Sequence, residues 1–98
     1  MNDYEIVNDL VYVTISNTKN VMMCDIDVWE QWKNHNWIED IRNHYVVTKI
    51  NGKIHRFHQV VLKPQNGYVI DHINRNKLDN RRKNLRYATY SVNRINSN

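Results

Sequence analysis

Asn51-Gly52 sits between two runs rich in β-branched and aromatic residues, Tyr45 to Ile50 and Lys53 to Phe57. Asn-Gly is the dipeptide that best tolerates the two successive positive φ angles of a tight hairpin turn, so it commits the middle of the chain to antiparallel strands. A related pattern occurs earlier. Leu10 to Ser16 (LVYVTIS) and Val21 to Cys24 flank the turn-forming Asn17-Thr18-Lys19-Asn20, which predicts another hairpin. A helix from about 26 to 34 follows, with Asp25 or Asp27 as its N-cap and Ile26, Trp29 and Lys33 at helical spacing. Trp29, Trp32 and Trp37 read as packing residues, with stacking on bases as the sharper alternative.

A chain of 98 residues fits one compact domain that buries about two-thirds of its unfolded surface. Its 41% hydrophobic and 24% charged content is globular rather than disordered. Apolar runs are only a few residues long, and Asp3 and Glu5 stand where a signal peptide carries basic residues, so neither a membrane span nor secretion is expected. Cys24 is the one cysteine, which excludes an internal disulfide and a cysteine-based zinc site and suits a cytoplasmic location.

Charge is divided along the chain. Residues 1–48 carry three basic residues against eight acidic ones, a net of −5, whereas residues 49–98 carry eleven basic residues against Asp71 and Asp79, a net of +9. A basic half of this density points to a polyanion, because Lys and Arg neutralise phosphates and release counterions; the alternative is a solvated basic face. The acidic half is expected to face away from such a partner, as a scaffold or a protein-binding surface. With no linker or repeat between them, the halves read as one domain. Sixteen asparagines add amide donors and acceptors for loops.

In the last third, Val60-Val61-Leu62 ends at Pro64, and Gly67 permits a turn into Tyr68-Val69-Ile70, a strand that delivers Asp71 and His72 to its end. Asn74 to Asn84 is too polar and irregular for a strand and reads as an ordered loop. Leu85 to Ala88 is a returning strand, and Thr89 can cap a helix from about 90 to 97, with Val92 and Ile95 inward.

His58, Gly67, Ile70-Asp71-His72-Ile73-Asn74, Leu78-Asp79-Asn80-Arg81, Asn84-Leu85-Arg86, Thr89 and Asn93, in this order, resemble the HNH endonucleases of phages and their homing relatives. The resemblance covers about residues 45–98. It implies a ββα-metal fold over about 68–98, two antiparallel strands and a helix clasping one divalent cation, magnesium or else manganese, and a short helix near residues 58–63. It implies that His72 is the general base acting on water, that Asn84 orients it, and that Asp71 and Asn93 bind the metal. The role suits histidine, whose pKa lies near neutrality, and oxygen ligands suit magnesium. Arg75, Lys77, Arg81, Arg82, Lys83, Arg86 and Arg94 are the candidate phosphate contacts, with Arg81 or Arg86 able to pair with Asp79 instead.

Two positions depart from the family pattern. Asn93 stands at the third motif position in place of histidine, which argues against structural zinc. Gln59 follows His58 where arginine is usual, with Arg56 as the substitute cation; His58 itself reads as a packed residue, with a phosphate or catalytic contact as the alternative. His35, His44 and His55 read as surface residues.

The expectation is therefore an α+β domain with N-terminal hairpins in a strand and helix scaffold (1–44) and an HNH nuclease region (45–98). Its function would be metal-dependent cleavage of DNA, nicking one strand or cutting both, alone, as a homodimer or with a protein partner. A noncatalytic nucleic-acid-binding module is the alternative, and an interaction protein using the acidic half a third.

Overall fold

The computed structural model describes residues 1–91. Its first sheet is a three-stranded antiparallel meander: β1 (Tyr4–Val7), β2 (Leu10–Thr14) and β3 (Val21–Asp25). Along β2 the alternation of the sequence becomes alternation of burial, with Val11 and Val13 inside, and Ile15 continues inward just beyond the strand. Helix α1 (Ile26–Trp32) follows β3 directly. Asp25 holds its N-cap position but makes no side-chain cap; its carboxylate accepts the backbone N–H of Arg82 at 2.7 Å instead. The strand β1 was not evident in the sequence because all four of its residues are exposed, leaving no alternation to read.

The second sheet contains β4 (Ile38–Glu39), β5 (Val46–Ile50) and β6 (Lys53–Arg56). Its hairpin turns at Asn51-Gly52, whose φ angles of 51° and 80° are the two positive values a tight primed turn requires. Helix α2 (Phe57–Val61) starts where β6 ends and places Phe57 in the core. The third sheet is the two-stranded pair β7 (Val69–His72) and β8 (Leu85–Ala88), in which Asp71 faces Arg86 and His72 faces Leu85.

The structure is α+β, and two antiparallel strands stand where the ββα motif was expected. The expected final helix begins at Tyr90 and Ser91 and otherwise lies outside the described residues, together with Val92, Asn93, Arg94 and Ile95. No described helix is long and apolar enough to cross a membrane.

One apolar cluster joins the first two sheets and both helices: Val11, Val13, Ile15, Met22, Cys24, Val28, Trp29, Trp37, Val46 and Phe57. Trp37 and Phe57 meet edge to face at 4.8 Å, so Trp29 and Trp37 are packing residues, both fully buried. Burial pushes the Cys24 thiol up to about 12, with Asp25 and Asp27 adding to the effect, so this cysteine behaves as a small apolar residue. The buried side chain of Asn2 ties the chain start to this core. Its Oδ1 accepts the Trp37 N–H at 2.7 Å, and its Nδ2 donates to the Trp37 carbonyl at 2.8 Å and the Thr14 carbonyl at 3.0 Å. Truncation would take the side-chain partner from the buried Trp37 N–H, so Asn2→Ala should lower unfolding stability by about 2–3 kcal/mol in urea titration.

Candidate active site

Two elements present the candidate chemistry: the end of β7, and the loop from Asn74 to Asn84 that returns to β8. The loop is ordered by its own amides. Asn84 closes it at the base, with Oδ1 accepting the Asn74 N–H at 3.1 Å and Nδ2 donating to Asn74 Oδ1 at 2.9 Å and to the Asp79 carbonyl at 2.8 Å. The Asn74 and Asn76 side chains each cap a backbone N–H two residues on, at 2.9 and 3.0 Å, which is how asparagine stabilises turns. Arg75 adopts φ 65°, the left-handed conformation.

At the centre of the loop lies Asp79, whose carboxylate is fully buried. Arg81 grips it with two parallel bonds, Nε to Oδ1 at 2.7 Å and Nη2 to Oδ2 at 2.6 Å, and Asn74 Nδ2 adds a third at 2.8 Å. Burial raises the pKa of Asp79, but these donors outweigh it and hold the carboxyl below the usual carboxylate range. The loop is also pinned from outside: Met23 on β3 donates to the Leu78 carbonyl and accepts from the Asn80 N–H, both at 2.8 Å.

That pinning places Asn80, 1% exposed, with Oδ1 2.8 Å from Nε2 of the buried His72. An amide oxygen only accepts, so Nε2 carries the proton and Nδ1 keeps the lone pair able to take a proton from water. Burial lowers the His72 pKa; the Asn80 bond and the Asp71 and Asp79 charges oppose this without reversing it, and Lys77 adds to the lowering. His72 is therefore neutral at pH 7, the form a general base needs.

Asp71, also buried, receives Arg86 from across the sheet, Nε at 3.1 Å and Nη2 at 3.0 Å from Oδ2. Asp71 brings hard oxygen donors to the same strand end as His72, the type magnesium takes while retaining several waters, so its chemistry fits such an ion. No group of three or more His, Cys, Asp or Glu able to hold a metal occurs among the described residues. The other candidate ligand, Asn93, lies outside them.

The basic candidates divide. Arg81 serves Asp79, Arg86 serves Asp71, and Arg82 reaches the acidic half, with Nη2 2.8 Å from Asp27 Oδ2 and its backbone on Asp25. Lys77 donates to the Asn43 carbonyl at 2.9 Å and lies 4.8 Å above the Tyr45 ring. Lys83 and Arg75 are exposed on the loop, and Arg94 lies outside the described residues. The acidic half thus turns Asp25 and Asp27 toward the basic loop.

Behind His72 sits His58, 5% exposed, with ring centroids 5.4 Å from His72 and 4.7 Å from Tyr45. It is packed, as expected. Asn80 belongs to the Leu78–Arg81 segment that carries the resemblance, but neither it nor Tyr45 has a role legible in the sequence, and only the fold turns Asn80 toward His72. His44, by contrast, is exposed yet bonded to the buried Glu39 at 2.8 Å.

A family model described as HNH endonuclease matches residues 44–95, just over half of the chain. The chain belongs to the HNH endonuclease family. Among the curated proteins and the solved structures, no match to the chain was found. The matched segment contains β5 to β8, the ordered loop, and every residue of the Asp71, His72, Asn80 and Asn84 constellation. Family membership supports a nuclease or nucleic-acid-binding role.

The buried histidines carry a stability consequence. Burial, then His72, Arg56 and Lys77, push the His58 pKa down to about 3, against 6.5 when unfolded. Above pH 6.5 the group is neutral in both states and costs nothing. As pH falls below 6.5 the unfolded chain gains a proton that the folded chain refuses until about pH 3, so stability is lost across that window, by on the order of 5 kcal/mol. Urea midpoints measured from pH 7.5 to 4 should fall for the wild type and fall less steeply for His58→Gln, which removes this titration.

Proposed function

We propose that this HNH family member is a metal-dependent DNA endonuclease that hydrolyses phosphodiesters to 5′-phosphate and 3′-hydroxyl ends. The observation that carries this reading is the bond from His72 Nε2 to Asn80 Oδ1, which leaves Nδ1 as the basic nitrogen on a histidine kept neutral by burial. A protein that only binds phosphates needs cations; it has no use for a neutral histidine in a fixed tautomer beside a buried carboxylate.

In this reading His72 Nδ1 takes the proton from a water in line with the scissile phosphorus. Asn80 holds the ring by its other nitrogen, and Asn84 closes the loop that presents Asn80. Asp71, with Asn93, would hold a divalent cation, magnesium by the chemistry of the donors, which when bound supplies charge to the developing oxyanion and the leaving 3′ oxygen. Arg86, 43% exposed at its side chain, is close enough to Asp71 to balance its charge and still meet a phosphate. Lys77, Lys83 and Arg75 on the loop, with Arg94, supply the remaining phosphate contacts. The phage and homing grouping rests on the order of the DHIN, DNR and NLR segments, and a cytoplasmic setting accords with the buried, reduced Cys24.

Conversion of supercoiled plasmid to nicked or linear DNA tests the reading. Cutting should need magnesium or manganese, stop with EDTA, and fall about 100-fold to 10,000-fold in His72→Ala. The acid limb of the rate should lie below pH 6.5, because the His72 pKa is lowered. Cutting that survives His72→Ala overturns the assignment; salt-sensitive binding with no cutting in either metal makes the chain a binding module.

A further inference from the structure

A cleft of about 240 Å³ opens next to the histidine pair, lined by Tyr45, Arg56, His58, Gln59, Tyr68 and Ile70 among others. His58 lines this cleft with its ring centroid 5.4 Å from that of His72, which places the cleft beside His72. We propose that this cleft receives one unstacked nucleobase of the DNA strand being cut, next to the scissile phosphate; the proposal rests on the nuclease reading above.

Four observations carry it. The first is size, since the space is sufficient for a single flat ring system. The second is wall chemistry. Tyr45 and Tyr68 bring aromatic surface and Val69, Ile70 and Pro64 an apolar floor, while Arg56 and Gln59 add hydrogen-bonding groups for a base edge. The third is preorganisation. Tyr68 is 47% exposed, yet its ring is set edge to face against Tyr87 at 6.2 Å, and Tyr87 is itself tethered through its hydroxyl to the Lys63 carbonyl. The fourth is charge, because Arg56 lines the cleft and Lys77 lies 4.8 Å from the ring centroid of Tyr45, a lining residue, so that two cations stand near it for the sugar-phosphate of an extruded nucleotide.

A base inside a regular duplex must be unstacked to enter, and least so where it is already unpaired. The enzyme should therefore prefer DNA with a bulged or mismatched nucleotide to fully paired DNA. The test is binding in EDTA, where nothing is cut, to two duplexes that differ only in a single bulged 2-aminopurine, read by affinity and by the fluorescence of that base. Wild type should bind the bulged duplex about tenfold more tightly and change the 2-aminopurine signal. In Tyr68→Ala the ratio should fall to about one and the signal change should vanish, while Tyr68→Phe, which keeps the ring, should restore both. Equal affinity of wild type for the two duplexes, or a preference unchanged in Tyr68→Ala, overturns the proposal. Plasmid cutting without bulge preference removes the base site and leaves the nuclease; bulge preference without cutting keeps the base site and removes the nuclease.

Discussion

The loop from Asn74 to Asn84 depends on a single buried carboxylate. Asp79 is fully enclosed, and an unpaired charge in such a place would cost far more than a small domain can supply. It is tolerated because Arg81 and Asn74 together present three side-chain donors to its two oxygens. Those donors are themselves loop residues, so satisfying the charge folds the loop: Asn74 is drawn to its middle, Asn84 then bonds Asn74 and the Asp79 carbonyl, and Asn80 is left facing His72. The pair is better regarded as a device for specifying one conformation than as a source of net stability, since removing one member strands the other.

The site extends beyond the loop. Met23 belongs to the first sheet, yet its backbone holds Leu78 and Asn80, so the meander that carries none of the candidate catalytic groups sets the height of the one that orients His72. Asn2, Trp37 and the core cluster fix that meander. A defect in the core would therefore be felt at His72 through β3, by geometry rather than by any contact with substrate.

Much of this was legible in the sequence where one residue type has one common use. Asn51-Gly52 marked its hairpin, the β-branched and aromatic run from Leu10 to Ser16 its strand, and the Asp71-His72 pair the end of β7. The exposed β1 and the two-residue β4 carry no periodicity and were not legible. Asp25 takes the N-cap position that the sequence marks, but its carboxylate serves the Arg82 N–H, 57 residues on, a long-range bond that the local capping rule does not show. The role of Asn80 was hidden for a related reason. Among so many asparagines, only the long-range pairing with Met23 selects the one that faces a histidine.

The opposed charges of the two halves acquire a physical meaning through Arg82. It is half exposed and bonded to the exposed Asp27, a pair of the kind worth little because water and salt screen it. A nucleic-acid phosphate is an equivalent partner, so this guanidinium can exchange carboxylate for phosphate at small net cost. Arg81 cannot, because leaving Asp79 would strand a buried charge, and Arg86 is held to the buried Asp71 in the same way. Of the paired arginines of the basic loop, Arg81 is therefore bound to structure and Arg82 is one that a polyanion can recruit. Recruiting Arg82 would loosen its tie to Asp27 while its backbone N–H stays on Asp25, keeping the loop attached to β3 as its charge turns outward.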